Sequence, residues 1–233
     1  MRRALMLGGV AYIIALHIIA VLAFFAPHLL PYQGWRLDLP PSEPTAYVTQ
    51  RHRHIVWQDK HSGTGAVALL GASHFEAMDP SLLGRPVLKY AAGGDTIRNT
   101  AERVLDYPNL ANASVIIVWV GFNDTVHREP EEIVADFPKL LERLPANVPI
   151  ITLAQAPTTR ADKQADIAAL NAGYRPLCEA DLRCQFLDIV PLLAAPDGSL
   201  APHYDRGDGV HLNRAGYVAL AEAIKPLLPD QES

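Results

Sequence analysis

No excess of positive charge marks this 233-residue chain: 20 Lys and Arg stand against 25 Asp and Glu, for a formal net charge of −5. That balance gives no electrostatic reason to bind nucleic acid. Cysteine is nearly absent, with two residues, Cys178 and Cys184, outside the spacings of cysteine metal sites. Internal repeats and low-complexity tracts are lacking. No G-x-G-x-x-G follows the first strand-like run and there is no phosphate-loop Lys, so a nucleotide or phosphate binder has little support. His52 and His54 would share a face if extended, but no carboxylate or third His follows at ligand spacing, and the pair reads as a solvated basic patch, not a metal site. Charged residues make only 19%, yet 49% hydrophobic residues exclude a disordered chain, and 19 Pro with 15 Gly exclude a coiled coil. The length allows one sizeable domain with an appendage.

Charge is scarcest at the start. Residues 4–26 contain no Asp, Glu, Lys or Arg, and a helix of that length spans about 30 Å of hydrocarbon. Arg2 and Arg3 precede it, so the expectation is a single-pass anchor over residues 1–30 with a cytoplasmic N-terminus and an extracytoplasmic, periplasmic domain. The competing reading is a cleaved signal peptide, with Val21 and Ala23 as the small-residue site. The apolar run through Phe24 and Phe25 to Leu30 favours the anchor. Residues 31–64, with Pro31, Pro40, Pro41 and Pro44, read as an extended stalk containing a short element of uncertain type at 47–61. In an oxidising compartment Cys178 and Cys184 can bridge if a helix ends between them, since six helical steps separate Cα atoms by about 9 Å. Two unpaired thiols are the alternative.

From 65 to 229 the pattern alternates. Apolar runs of strand length at 66–70, 86–91, 114–120, 149–154 and 185–189 are separated by helix-like segments at 96–106, 130–143, 162–182 and 213–228. Continuous apolar strands between amphipathic helices predict an α/β protein: a three-layer α/β/α sandwich around a five-stranded parallel sheet. In such sheets chemistry gathers beyond the carboxyl ends of the strands. The first run ends in Gly71-Ala72-Ser73-His74, the second in Gly93-Gly94-Asp95-Thr96, the third in Gly121-Phe122-Asn123-Asp124. Before the last helix stands Gly207-Asp208-Gly209-Val210-His211. Each motif is common alone; their order and placement are not.

On these blocks the chain resembles the SGNH, or GDSL-like, hydrolase family over about residues 66–228, which implies a flavodoxin-like fold and ester hydrolysis without metal or organic cofactor. The resemblance implies Ser73 as nucleophile, His211 as base, Asp208 as its orienting acid, and an oxyanion hole made by the backbone N–H groups of Ser73 and Gly94 and the Asn123 amide. Glycine at 94 would let the backbone approach substrate without a Cβ in the way. One departure stands out: the family usually has Asp immediately before the serine, where this chain has Ala72. His74 and His203 are rival bases, each without an Asp three residues upstream. Asp95 and Thr96 are expected to cap the helix that follows, and capping of the next segment is the alternative reading of Asn123 with Asp124.

The reaction expected is hydrolysis of an acyl ester, such as an O-acetyl carbohydrate or a lipid ester, through an acyl-enzyme. An O-acyltransferase acting on envelope glycans is the alternative if another hydroxyl replaces water. A non-catalytic glycan-binding subunit of the same fold is a second, motivated by Ala72.

Overall fold

The computed structural model describes residues 44–230. The anchor expected over residues 1–30 and the first part of the stalk lie outside the described residues. Among the described residues no helix is long and apolar enough to cross a membrane.

Residues 46–60, close to the 47–61 stretch given above to a short element of uncertain type within the stalk, form the helix α1 (Ala46–Lys60). All four prolines of the segment precede this stretch, and the Thr45 hydroxyl caps it by accepting the Val48 N–H at 3.2 Å. The helix buries Val48, Ile55 and Asp59. Asp59 accepts the Tyr90 hydroxyl at 2.8 Å and the Asn109 N–H at 3.1 Å, which fixes α1 to the sheet side of the fold. The folded unit therefore starts well before the expected boundary at 65. His52 is no solvated patch: it bridges the Tyr107 hydroxyl (2.8 Å) and Asp106 (2.9 Å), and on a helix it shares no face with His54.

Five strands, β1 (Val67–Gly71), β2 (Val87–Ala91), β3 (Val115–Trp119), β4 (Ile150–Leu153) and β5 (Cys184–Leu187), form one parallel sheet in the order β2-β1-β3-β4-β5. Central β1 and β3 are buried along their whole length, as their unbroken apolar runs require. Alternate residues feed two cores: Ala68, Leu70, Ile116 and Val118 on one face, Val67, Leu69, Val115 and Ile117 on the other.

The other helices are α2 (Ser73–Ala77), α3 (Ile97–Arg103), α4 (Pro130–Arg143), α5 (Ala161–Glu179), α6 (Val190–Leu193) and α7 (Arg214–Ile224). Helices α3, α4, α5 and α7 lie close to the segments read from periodicity, whereas the short α2 and α6 have no counterpart there. In α4, Ile133, Phe137, Leu140 and Leu141 recur at helical spacing and are buried. Each such buried apolar side chain contributes about 1.5–3 kcal/mol of transfer free energy. α5 ends at Glu179, between the two cysteines, and Cys178 and Cys184 are joined in a disulfide with Cα atoms 5.2 Å apart.

Candidate active site

Ser73 occupies the first position of α2, just beyond the carboxyl end of β1. The turn that presents it is tight: a Cβ on Gly71 would sit 2.1 Å from the Trp119 carbonyl oxygen on β3, so a side chain there would force the strands apart. Ala72 supplies no side-chain cap to α2. The turn is held instead through the Gly71 carbonyl, which accepts the Ala92 N–H at 3.2 Å and the Arg103 guanidinium at 3.1 Å.

The loop before α7 brings His211 to this serine. His211 Nε2 lies 2.8 Å from Ser73 Oγ, and His211 Nδ1 lies 2.8 Å from Asp208 Oδ2. Asp208 Oδ1 accepts the backbone N–H groups of His211 (2.8 Å) and Val210 (3.1 Å), while Arg206 donates to Oδ2 at 2.7 Å. Burial by itself raises the Asp208 pKa, but the bonds from the His211 backbone and ring, Val210 and Arg206 outweigh it. They hold this carboxyl well below the usual range. An ionised Asp208 assigns the ring proton to Nδ1 and leaves the Nε2 lone pair toward the serine hydroxyl.

The rival bases make other contacts. His74 Nε2 bonds the Val210 carbonyl oxygen at 3.1 Å, and the His203 ring packs on Tyr204 with centroids 3.9 Å apart.

The turn after β2 carries Gly94 with φ +81°, and a Cβ there would meet nothing within 4 Å. The left-handed conformation favours glycine here whatever the space around it. Asn123 donates one amide N–H to the Asp95 carbonyl at 2.8 Å, which fixes the amide against this turn. Thr96 caps α3 by accepting the Asn99 N–H at 3.3 Å. Asp95 bonds the Thr96 N–H at 3.0 Å and, fully buried, is ion-paired with Arg103. Arg103 also donates to the carbonyls of Gly71 (3.1 Å) and Tyr90 (2.9 Å), gathering the ends of β1 and β2 behind the serine turn. Asp124 accepts the Ile97 N–H at 2.9 Å and pairs with Arg128 at 3.1 Å. Burial pushes its pKa up to about 6 against those bonds.

Sequence reasoning missed Arg206, Arg103 and Glu76. Arg206 was open to suspicion from its place two residues before Asp208. A buried Arg103 has no sequence signal, because arginine in a helix is ordinarily solvated. Glu76, whose carboxylate accepts the Gly93 N–H at 2.5 Å, lies one turn after Ser73 and had only that spacing to recommend it.

The model of the GDSL-like lipase/acylhydrolase family matches residues 57–219. The human platelet-activating factor acetylhydrolase IB subunit alpha1 is 26% identical over 214 residues, covering 81% of this chain and 89% of its own. The rat protein of the same name is 24% identical over 212 residues, with the same coverage. Among solved structures, a GDSL-like lipase from Bacteroides thetaiotaomicron superposes with a TM-score of 0.65 at 17% identity, over 76% of this chain and 96% of that one.

Proposed function

This chain belongs to the GDSL-like lipase/acylhydrolase family, and we propose that it hydrolyses acyl esters with Ser73 as the nucleophile. The observation that carries the reading is the 2.8 Å approach of His211 Nε2 to Ser73 Oγ, with Asp208 on the far side of the ring. As Ser73 Oγ bonds to the ester carbonyl carbon, its proton passes to His211 Nε2 and the carbonyl electron pair moves onto oxygen. The Ser73 and Gly94 N–H groups and the free N–H of Asn123 stabilise that oxyanion. Donors placed where charge develops lower the barrier more than they stabilise the substrate. Collapse breaks the ester C–O bond, His211 returns its proton to the departing alkoxide, and the acyl group stays on Ser73. Water then repeats the sequence and releases the carboxylic acid. All of this chemistry is supplied by protein groups.

An O-acetyl carbohydrate or a lipid ester is the substrate class proposed. The relatives' name, acetylhydrolase, supports a short acyl group. The same reading anchors the chain through residues 1–30 and puts the domain outside the cytoplasm; the Cys178–Cys184 bridge supports an oxidising compartment. The test is hydrolysis of aryl acetate and aryl palmitate by the purified chain. Acetate release lost in Ser73→Ala is the expected result, and equal turnover by Ser73→Ala would overturn the assignment. Aryl alcohol release that rises with added glycan hydroxyls, with the acetyl group recovered on the glycan and not as free acetate, would mark transfer in place of hydrolysis.

A further inference from the structure

The carboxylate of Glu76 links three parts of the molecule. Its Oε2 accepts the Gly93 N–H at 2.5 Å. Its Oε1 accepts the Tyr47 phenol and lies 3.3 Å from Arg51 Nε. Arg51 Nε also donates to the carbonyl of Ala91, the last residue of β2, at 3.1 Å. The point where a Gly93 Cβ would stand is 2.9 Å from Glu76 Oε2, 3.7 Å from Tyr47 Cε1 and 3.8 Å from Ser73 Cβ. Nucleophile, carboxylate and phenol ring thus border one spot. Tyr47 and Arg51 belong to α1, before the family match begins at residue 57.

We propose that Glu76 is a positioning residue for the Gly93-Gly94 turn, and that α1, through Tyr47 and Arg51, is a working part of the active site. The inference rests on the serine-esterase reading and deepens it. Three consecutive N–H groups leave this turn. Gly93 donates to Glu76 and Asp95 donates to the Ala92 carbonyl at 3.1 Å, while Gly94 has no acceptor among the described residues. Gly94, at φ +81°, has no side chain to restrict its rotation. The direction of its N–H is therefore set by what holds its neighbours. A carboxylate acceptor is the stronger kind of hold, about twice a neutral one. Tyr47 and Arg51 keep that carboxylate aimed at Gly93, and the Lys89 ammonium, bonded to the Glu76 carbonyl at 2.8 Å, fixes the end of α2.

Glu76→Ala, Glu76→Gln and Tyr47→Phe test this with aryl acetate, each rate expressed per Ser73 titrated by a fluorophosphonate. Glu76→Ala should lower kcat about 10- to 100-fold with KM within roughly threefold of the unaltered chain, as expected for a displaced transition-state donor. Glu76→Gln keeps one oxygen for the Gly93 N–H and should recover part of the loss. Tyr47→Phe should lower kcat alone but add nothing to Glu76→Ala. A fall in melting temperature with kcat per titrated site unchanged would reduce Glu76 to a structural role and overturn the inference alone. An unaltered chain that neither titrates nor turns over overturns the esterase reading, and this inference with it.

Discussion

His74 Nε2 is bonded to the Val210 carbonyl oxygen at 3.1 Å, so the residue after the candidate nucleophile is tied to the residue before the candidate base. This bond runs beside the one between Ser73 and His211 and joins the same two segments. The Tyr217 hydroxyl donates to the His74 carbonyl at 2.8 Å and secures the pair from α7. The His74 ring lies 4.3 Å from Trp119 and 5.1 Å from His211, centroid to centroid. A donor to a carbonyl at Nε2 does not need a charged ring. Burial, reinforced by the nearby His211, lowers the His74 pKa to about 4.

That shift has a pH signature. Between the ordinary value of 6.5 and the folded value of about 4, the unfolded chain binds the proton that folded His74 refuses. The stability tied to a neutral His74 is full above about 6.5 and is lost as pH falls toward 4, on the order of 3 kcal/mol in all. His74→Gln keeps a donor for Val210 but does not titrate. Urea unfolding from pH 7 to pH 4 should show the variant closing the gap on the unaltered protein. Parallel stability curves would contradict the assignment.

Asp208→Asn should leave the fold intact and lower kcat for aryl acetate by about 10²–10⁴, because an amide no longer fixes the proton on Nδ1 of His211. KM should change little. A loss below about tenfold would mean that Asp208 does not orient the base.

Arg103→Met should destabilise the protein by about 3–5 kcal/mol, since it leaves Asp95 as an uncompensated buried charge. The loss should be relieved in the double variant with Asp95→Asn, as read by denaturant midpoints. Additive losses would show that the two side chains do not depend on each other.

The sheet was legible because its signal is local. Unbroken apolar runs such as 114–120 can be buried only on both faces, and the glycine and polar residues after them mark strand ends. Ser73, Asn123, Asp208 and His211 were legible by order and placement, and the structure brings Ser73, Asp208 and His211 into one hydrogen-bonded chain. The helix at 46–60 was obscured by prolines that in fact stop short of it, and by a weak apolar stripe in which Val48 and Ile55 are the buried aliphatic residues. The Asp95–Arg103 pair and the Glu76–Gly93 bond join residues through tertiary contact, for which the one-dimensional pattern holds no periodicity.

Reduction of the Cys178–Cys184 bridge should lower stability by about 2 kcal/mol, the loop-closure value for so short a loop. Cys184 opens β5 at its amino end, whereas Ser73 follows the carboxyl end of β1. Aryl acetate turnover at 25 °C should therefore survive reduction. Loss of activity without unfolding would contradict that separation.

The most direct measurement is the mass of the folded chain after one equivalent of a fluorophosphonate, with peptide mapping of the adduct. One phosphonyl group per chain on Ser73, formed slowly or not at all in His211→Ala, is the result predicted. A folded chain that stays unmodified, or carries its adduct on another residue, would contradict the account.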